Sequence, residues 1–115
     1  MREIDAKHFD ETIRESRTLV LVAFTANWSS VNHICQQILE GVADEYRGRL
    51  LVYRIDADKH PELQKKLNLR GIPSFLFYRD GAELERLSGS RPRAIFRSAV
   101  ERNLASCDSI VPLVK

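Results

Sequence analysis

Ala26-Asn27-Trp28-Ser29-Ser30-Val31-Asn32 decides the reading of this chain, because an apolar strand ends just before it and an amphipathic helix begins within it. Upstream, Leu19-Val20-Leu21-Val22-Ala23-Phe24 is a short unbroken apolar run, β-branched in part, which is the pattern of a strand buried on both faces. Downstream, Ile34, Cys35, Ile38, Leu39, Val42 and Tyr46 recur at helical spacing, while Gln36, Gln37, Glu40, Asp44 and Glu45 fall mostly on the other side. The stretch between them is a strand-to-helix turn. In an open α/β sheet such turns lie at the carboxyl ends of strands, where ligands gather, and the helix start adds unpaired N–H groups and a positive dipole end.

Working outward, Ile4 opens a short segment that reads as an edge strand, and Asp5 is placed to cap a helix that carries Phe9 and Ile13 inward. Ser16-Arg17-Thr18 breaks that helix ahead of the central strand. On the other side, Arg47-Gly48-Arg49 stops the long helix, and Leu50-Leu51-Val52-Tyr53-Arg54-Ile55 reads as a second buried strand. His60-Pro61 starts a short helix with Leu63 and Leu67 inside, and Asn68-Leu69-Arg70-Gly71 ends it. The runs from Ser74 to Tyr78 and from Glu83 to Leu87 flank Asp80-Gly81, a strong hairpin signal. Ser90 is placed to cap a last helix whose inner stripe is Ile95, Phe96, Ala99, Val100 and Leu104.

The 115 residues make one domain, residues 1–105, followed by a tail at 106–115. The tail, with Ile110, Val111, Leu113 and Val114, is apolar for a chain end. It is expected either to lie against its own domain or fray, or to make a contact in trans with a second copy, giving a homodimer, or with a partner. With 43% hydrophobic and 30% charged residues the composition is that of an ordinary globular domain. A formal charge of +2, with acids spread among the bases, gives no reason to expect nucleic acid. The segment Met1-Arg2-Glu3-Ile4-Asp5 shows no signal-peptide pattern, and no run reaches membrane-spanning length, so a cytoplasmic protein without membrane contact is expected. Cys35 and Cys107 are far apart, and His8, His33 and His60 are scattered, so neither a disulfide framework nor a metal site is expected, and no cofactor.

Taken in order, Trp28, the helix ending Ala43-Asp44-Glu45-Tyr46, the segment Arg70-Gly71-Ile72-Pro73, the strand Phe75-Leu76-Phe77-Tyr78 with Asp80-Gly81 after it, and Gly89 resemble the thioredoxin family along nearly the whole chain. The resemblance implies an α/β, thioredoxin-like fold: a central mixed β-sheet flanked by helices on both faces. It places the family's Cys-Gly-Pro-Cys motif on Ser29-Ser30-Val31-Asn32, so that both redox cysteines are replaced, and the family's buried acid on Ala23. A slipped motif ending at Cys35 is disfavoured, because the count from Trp28 to Tyr46 already has the family's length, and Cys35 lies in the apolar stripe, where a free cysteine is ordinarily inert.

Thiol–disulfide exchange needs an attacking thiolate, a sulfur leaving group and a resolving thiol, none of which Ser29 and Asn32 supply. Ser29 and Ser30 serve well as helix caps, and Asn32 as a polar first-turn residue. His33 is the nearest candidate base for a serine nucleophile, but its place in the helix favours solvent or local packing. Ala23 fits a chain without proton relay, since a buried carboxylate is costly to keep. What the resemblance retains is Pro73, whose family counterpart is cis and follows a peptide unit that pairs with extended substrates. That element either keeps a peptide-binding groove or merely fixes the hairpin entry.

The functional expectation is a redox-inactive binding protein, an adaptor or holdase-type chaperone, that takes a protein or extended peptide in a groove bounded by Trp28, Ser29, Ile72 and Pro73, with the Ile72 side chain facing solvent. The rivals are an atypical oxidoreductase or redox sensor using Cys35 or Cys107, and a glutathione-type binder in which Ser29 donates to a bound thiolate.

Overall fold

The computed structural model describes residues 2–26 and 30–113, of which 30–32 and 106–113 are described as backbone only. Trp28 and Ser29, and the side chains of Ser30, Val31, Asn32, Cys107 and Ile110, to which the sequence assigned roles, lie outside the described residues. The chain runs β1 (Arg2–Glu3), α1 (Ala6–Glu15), β2 (Leu19–Thr25), α2 (Ser30–Glu45), β3 (Leu50–Asp56), a 3-10 turn (Ala57–Lys59), α3 (Pro61–Lys66), β4 (Ser74–Arg79), β5 (Ala82–Ser88) and α4 (Arg93–Leu113). The five strands form one mixed sheet in the order β1-β3-β2-β4-β5. The first three are parallel, and β4 and β5 run antiparallel to their neighbours.

Strand β2 is buried along its whole length, as its apolar run requires. Its side chains alternate between two cores. Leu19, Leu21 and Ala23 meet Cys35, Leu39 and Val42 of α2 and Phe96, Ala99, Val100 and Leu104 of α4. Val20, Val22 and Phe24 meet Phe9 and Ile13 of α1 and Leu63 of α3. Helices therefore cover both faces. Aromatic edges lock the layers, with Phe75 against Phe96 at 4.8 Å on one face and Phe9 against Phe24 and Tyr78 at 5.8 and 5.6 Å on the other.

Local chemistry sets the boundaries. The Asp5 carboxylate accepts from the His8 N–H at 3.0 Å to cap α1. Asp80 and Gly81, with φ of +53° and +84°, make the two-residue β4–β5 turn, whose handedness matches the twist of the paired strands. Pro61 opens α3, and Asn68 at φ +56° follows it in the left-handed conformation that ends helices.

Four details differ from the sequence reading. Leu51 of β3 is 40% exposed rather than buried, because β1 pairs with β3 only at Tyr53 and Arg54, and the inward rings of α1 sit over β2 and β4. Ile34 and Ile95 are exposed: each lies at the edge of its helix's apolar stripe, beyond the reach of the sheet. Ser90 does not cap α4, which starts at Arg93. Arg91 precedes a proline and so disfavours helical geometry, and the Pro92 carbonyl accepts the first turn's bond from Ile95 at 3.0 Å. Finally, residues 106–113 continue α4 as helical backbone rather than leaving the domain as a tail, consistent with a run from Arg93 to Val111 that contains no glycine or proline. No helix among the described residues is long and apolar enough to cross a membrane.

Candidate functional site

The parallel strands deliver their carboxyl ends to one edge of the sheet, and pairing brings two later loops to the same place. Phe24 near the end of β2 pairs with Ser74 at the start of β4, and Ser74 pairs on its other side with Ser88 at the end of β5. The loop before β4 (residues 68–73) and the loop after β5 (residues 89–92) therefore stand side by side at the edge of the sheet where β2 ends. They are bonded together. The Gly89 N–H donates to the Pro73 carbonyl at 2.8 Å, and the buried Ser74 hydroxyl donates to the Gly71 carbonyl at 2.6 Å. The Ile72–Pro73 peptide bond is cis.

Of the residues expected at the groove, Ile72 and Pro73 stand at this edge. Ile72 does not face solvent as expected. It is half-buried and packs against the cluster of Phe9, Phe24 and Leu63, because the loop folds back over that face of the sheet. Gly71 is exposed, as are Asn68 and Arg70 of the same loop, and a side chain added at Gly71 would meet no heavy atom within 4 Å.

Ala23 is wholly enclosed, paired with Phe75 and packed in the α2–α4 core. The surroundings are apolar, so a carboxylate at this position would need a partner that the cluster lacks. His33 lies exposed on α2, outside that core. Cys35 is 4% exposed in the same core, and burial pushes its thiol above the ordinary range, which leaves it protonated at neutral pH.

Beside these loops is a cavity of about 330 Å³ that the sequence did not reveal. Ile34, Cys35 and Ile38 line it from α2, and Ser90, Arg91 and Pro92 from the loop before α4. The clearest sequence signal was Ile34, an apolar residue at the margin of its stripe, which was read as part of the core.

The thioredoxin family model matches residues 1–102. The chain belongs to the thioredoxin family. It is 27% identical over 107 residues to chloroplastic thioredoxin M3 of Oryza sativa subsp. japonica, covering 93% of this chain and 61% of that protein. To a thioredoxin of Buchnera aphidicola it is 40% identical over 72 residues, 63% of this chain and 66% of that one. The chain thus spans about three fifths of the length of the chloroplast relatives. Among solved structures, chloroplastic thioredoxin z superposes with a TM-score of 0.82 at 28% identity, covering 92% of this chain and 95% of that one. The thioredoxin-like fold, here a mixed five-stranded sheet with four α-helices, is accordingly shared with that structure.

Proposed function

We propose that this member of the thioredoxin family binds an extended segment of a partner protein at the Pro73 edge of its sheet and performs no thiol–disulfide exchange, acting as an adaptor or holdase-type chaperone. The observation that supports it most is a contrast: positions 29 and 32 carry serine and asparagine, while the loops beside that turn stay bonded into one edge by Gly89 and Pro73. Without a thiol at either position, neither attack on a disulfide nor resolution has a sulfur to proceed through. An exposed loop backbone at a sheet end suits pairing with an extended peptide, with neighbouring apolar side chains excluding water. The related thioredoxin z structure is described as defining a type-specific target recognition, which favours target binding as the trait that varies within this fold.

The competing reading, a thiol enzyme or redox sensor built on Cys35 or Cys107, is disfavoured for Cys35 by its burial and protonated state. Two measurements test the proposal. Dithiothreitol-driven insulin reduction by the full chain is expected at background, and turnover like that of an ordinary thioredoxin would end the redox-inactive reading. Fluorescence anisotropy with unfolded-peptide probes should show binding that Gly71→Lys weakens, because the new side chain projects into open space beside Pro73 without disturbing the core. Equal binding by the folded Gly71→Lys protein would move the site elsewhere.

A further inference from the structure

The cavity between α2 and the loop before α4 has a chemistry of its own. Ile34, Cys35, Ile38, Ser90, Arg91 and Pro92 line it, with Cys35 buried and Arg91 exposed. Ile34 is 61% exposed, the most exposed of the large apolar side chains described. Arg91 is exposed and has neither hydrogen bond nor ion pair among the described residues, whereas the next arginines along α4 are all committed. Arg93 and Arg97 hold Glu45, and Arg102 holds Glu85. A guanidinium beside an apolar hollow is here a charge without a counter-ion among the described residues.

The hollow is also held open by its frame. Arg93 ties the start of α4 to α2, donating to the Gly41 carbonyl at 3.3 Å and to Glu45 at 3.1 Å, and the Gly89–Pro73 bond fixes the other end of the same loop. Its volume of about 330 Å³ comfortably exceeds the ~150 Å³ in which a buried apolar site accepts a benzene ring. One leucine- or phenylalanine-sized side chain fits. Gly89, at the start of this loop, is bonded to Pro73, so the loop that lines the hollow begins at the Pro73 edge.

We propose that this hollow is a specificity subsite for an extended segment of a partner protein, taking an apolar side chain against Ile34, Ile38 and Pro92 and pairing an adjacent Asp or Glu carboxylate with Arg91. This rests on the peptide-binding reading above and adds to it the class of sequence that is chosen: apolar beside acidic. The apolar contact supplies affinity by removing Ile34 from water, and the guanidinium supplies choice, since a basic residue at that place would meet like charge.

The test uses the full chain on an array of immobilised decapeptides of randomised sequence, with wild type, Arg91→Glu, Ile34→Ser and Gly71→Lys compared after circular dichroism has shown each folded. Both Arg91 and Ile34 are exposed, so their replacement leaves the core intact. Wild type should enrich Leu, Ile or Phe next to Asp or Glu. Arg91→Glu should lose the acidic preference and bind those peptides about fivefold more weakly, the scale of an exposed ion pair, while gaining basic ones. Ile34→Ser should weaken all of them whatever their charge. Peptides bound in a Gly71→Lys-sensitive way, with the same selection by Arg91→Glu and Ile34→Ser as by wild type, would overturn the subsite alone. No peptide bound by wild type would overturn the groove reading and the subsite with it. A wild-type dimer by light scattering that Ile34→Ser turns into a monomer would show that a second copy covers the hollow, which also overturns the proposal.

Discussion

Cys35 decides between a binding protein and a redox sensor, and its behaviour can be worked out before it is measured. In a Cys107→Ser protein it is the sole thiol. Its 4% exposure limits access by a reagent to roughly one encounter in 25, and an ordinary thiol is only about 10% ionised at pH 7.5. Burial raises the thiol further and lowers that fraction, so reaction with Ellman's reagent should be more than about 25-fold slower than that of free cysteine. In 6 M guanidinium chloride, above the ~5 M midpoint beyond which a domain counts as hyperstable, an ordinary domain is unfolded and the same thiol should react at the free rate. Reaction in the native state must then follow local opening of α2, so urea well below the unfolding midpoint should accelerate it in proportion to the opened population. A native Cys35 that reacts as fast as free cysteine or faster would refute this reasoning, because it would show both an accessible path and a stabilised thiolate that the apolar core does not offer.

Three further outcomes are expected. The Tyr78 hydroxyl is buried without a hydrogen-bond partner among the described residues, so Tyr78→Phe should leave the urea midpoint unchanged or stabilise the chain by about 1 kcal/mol; a loss of that size would reveal an unseen partner. Glu85 joins β5 to α4 through Arg102 and Asn103, and its carboxyl is held below the usual range chiefly by the Arg102 hydrogen bond. Its stabilisation is thus present above the unfolded value near ~4.3 and is lost as pH falls through the depressed folded value; Glu85→Gln should cost about 1 kcal/mol at pH 7 and the gap should narrow steadily as pH falls below ~4.3, whereas a gap that stays constant with pH would exclude the charge as its cause. Ending the chain at Ala105 should keep the melting temperature within a few degrees, since Leu104 supplies the last described core contact of α4; a collapse in cooperativity would give residues 106–115 a structural part.

The fold was legible because its strongest signals are local and agree with each other. A seven-residue strand enclosed on both faces can only read as an unbroken apolar run, and Asp80-Gly81 between two strand-like runs names its own turn. What escaped the sequence was lateral extent. Periodicity says which side of a helix is apolar, but not how far the neighbouring sheet reaches, so Ile34, Ile95 and Leu51 were all read as core and all lie beyond its edge. The hollow beside Ile34 escaped for a related reason. It is made from residues of α2 and of the loop more than fifty positions later, and no pattern within either segment records that they meet. Ile72 failed in the opposite direction, because a residue in a loop next to a proline gives no periodic sign of the core that the loop folds back upon.

The same layout explains how chemistry can leave this fold while recognition stays. Helix α2 is held by Leu39, Val42 and Tyr46, all one or more turns beyond position 32, and the Tyr46 hydroxyl is tied to Glu101 of α4 at 2.7 Å. The loop before β4 is held by pairing on both sides of Ser74 and by the bond from Gly89. None of those contacts involves positions 29 to 32, so on the proposed reading these supports do not depend on a thiol at either position. The reverse does not hold, because the edge that carries Pro73 is part of the sheet's own hydrogen bonding and is lost only with the fold. A chain freed from thiol chemistry would therefore shed its cysteines and its buried acid first and keep the binding edge longest. On the proposed reading, Ser29, Asn32 and Ala23 stand where that chemistry would be, and Pro73 and Gly89 stand at the proposed binding edge.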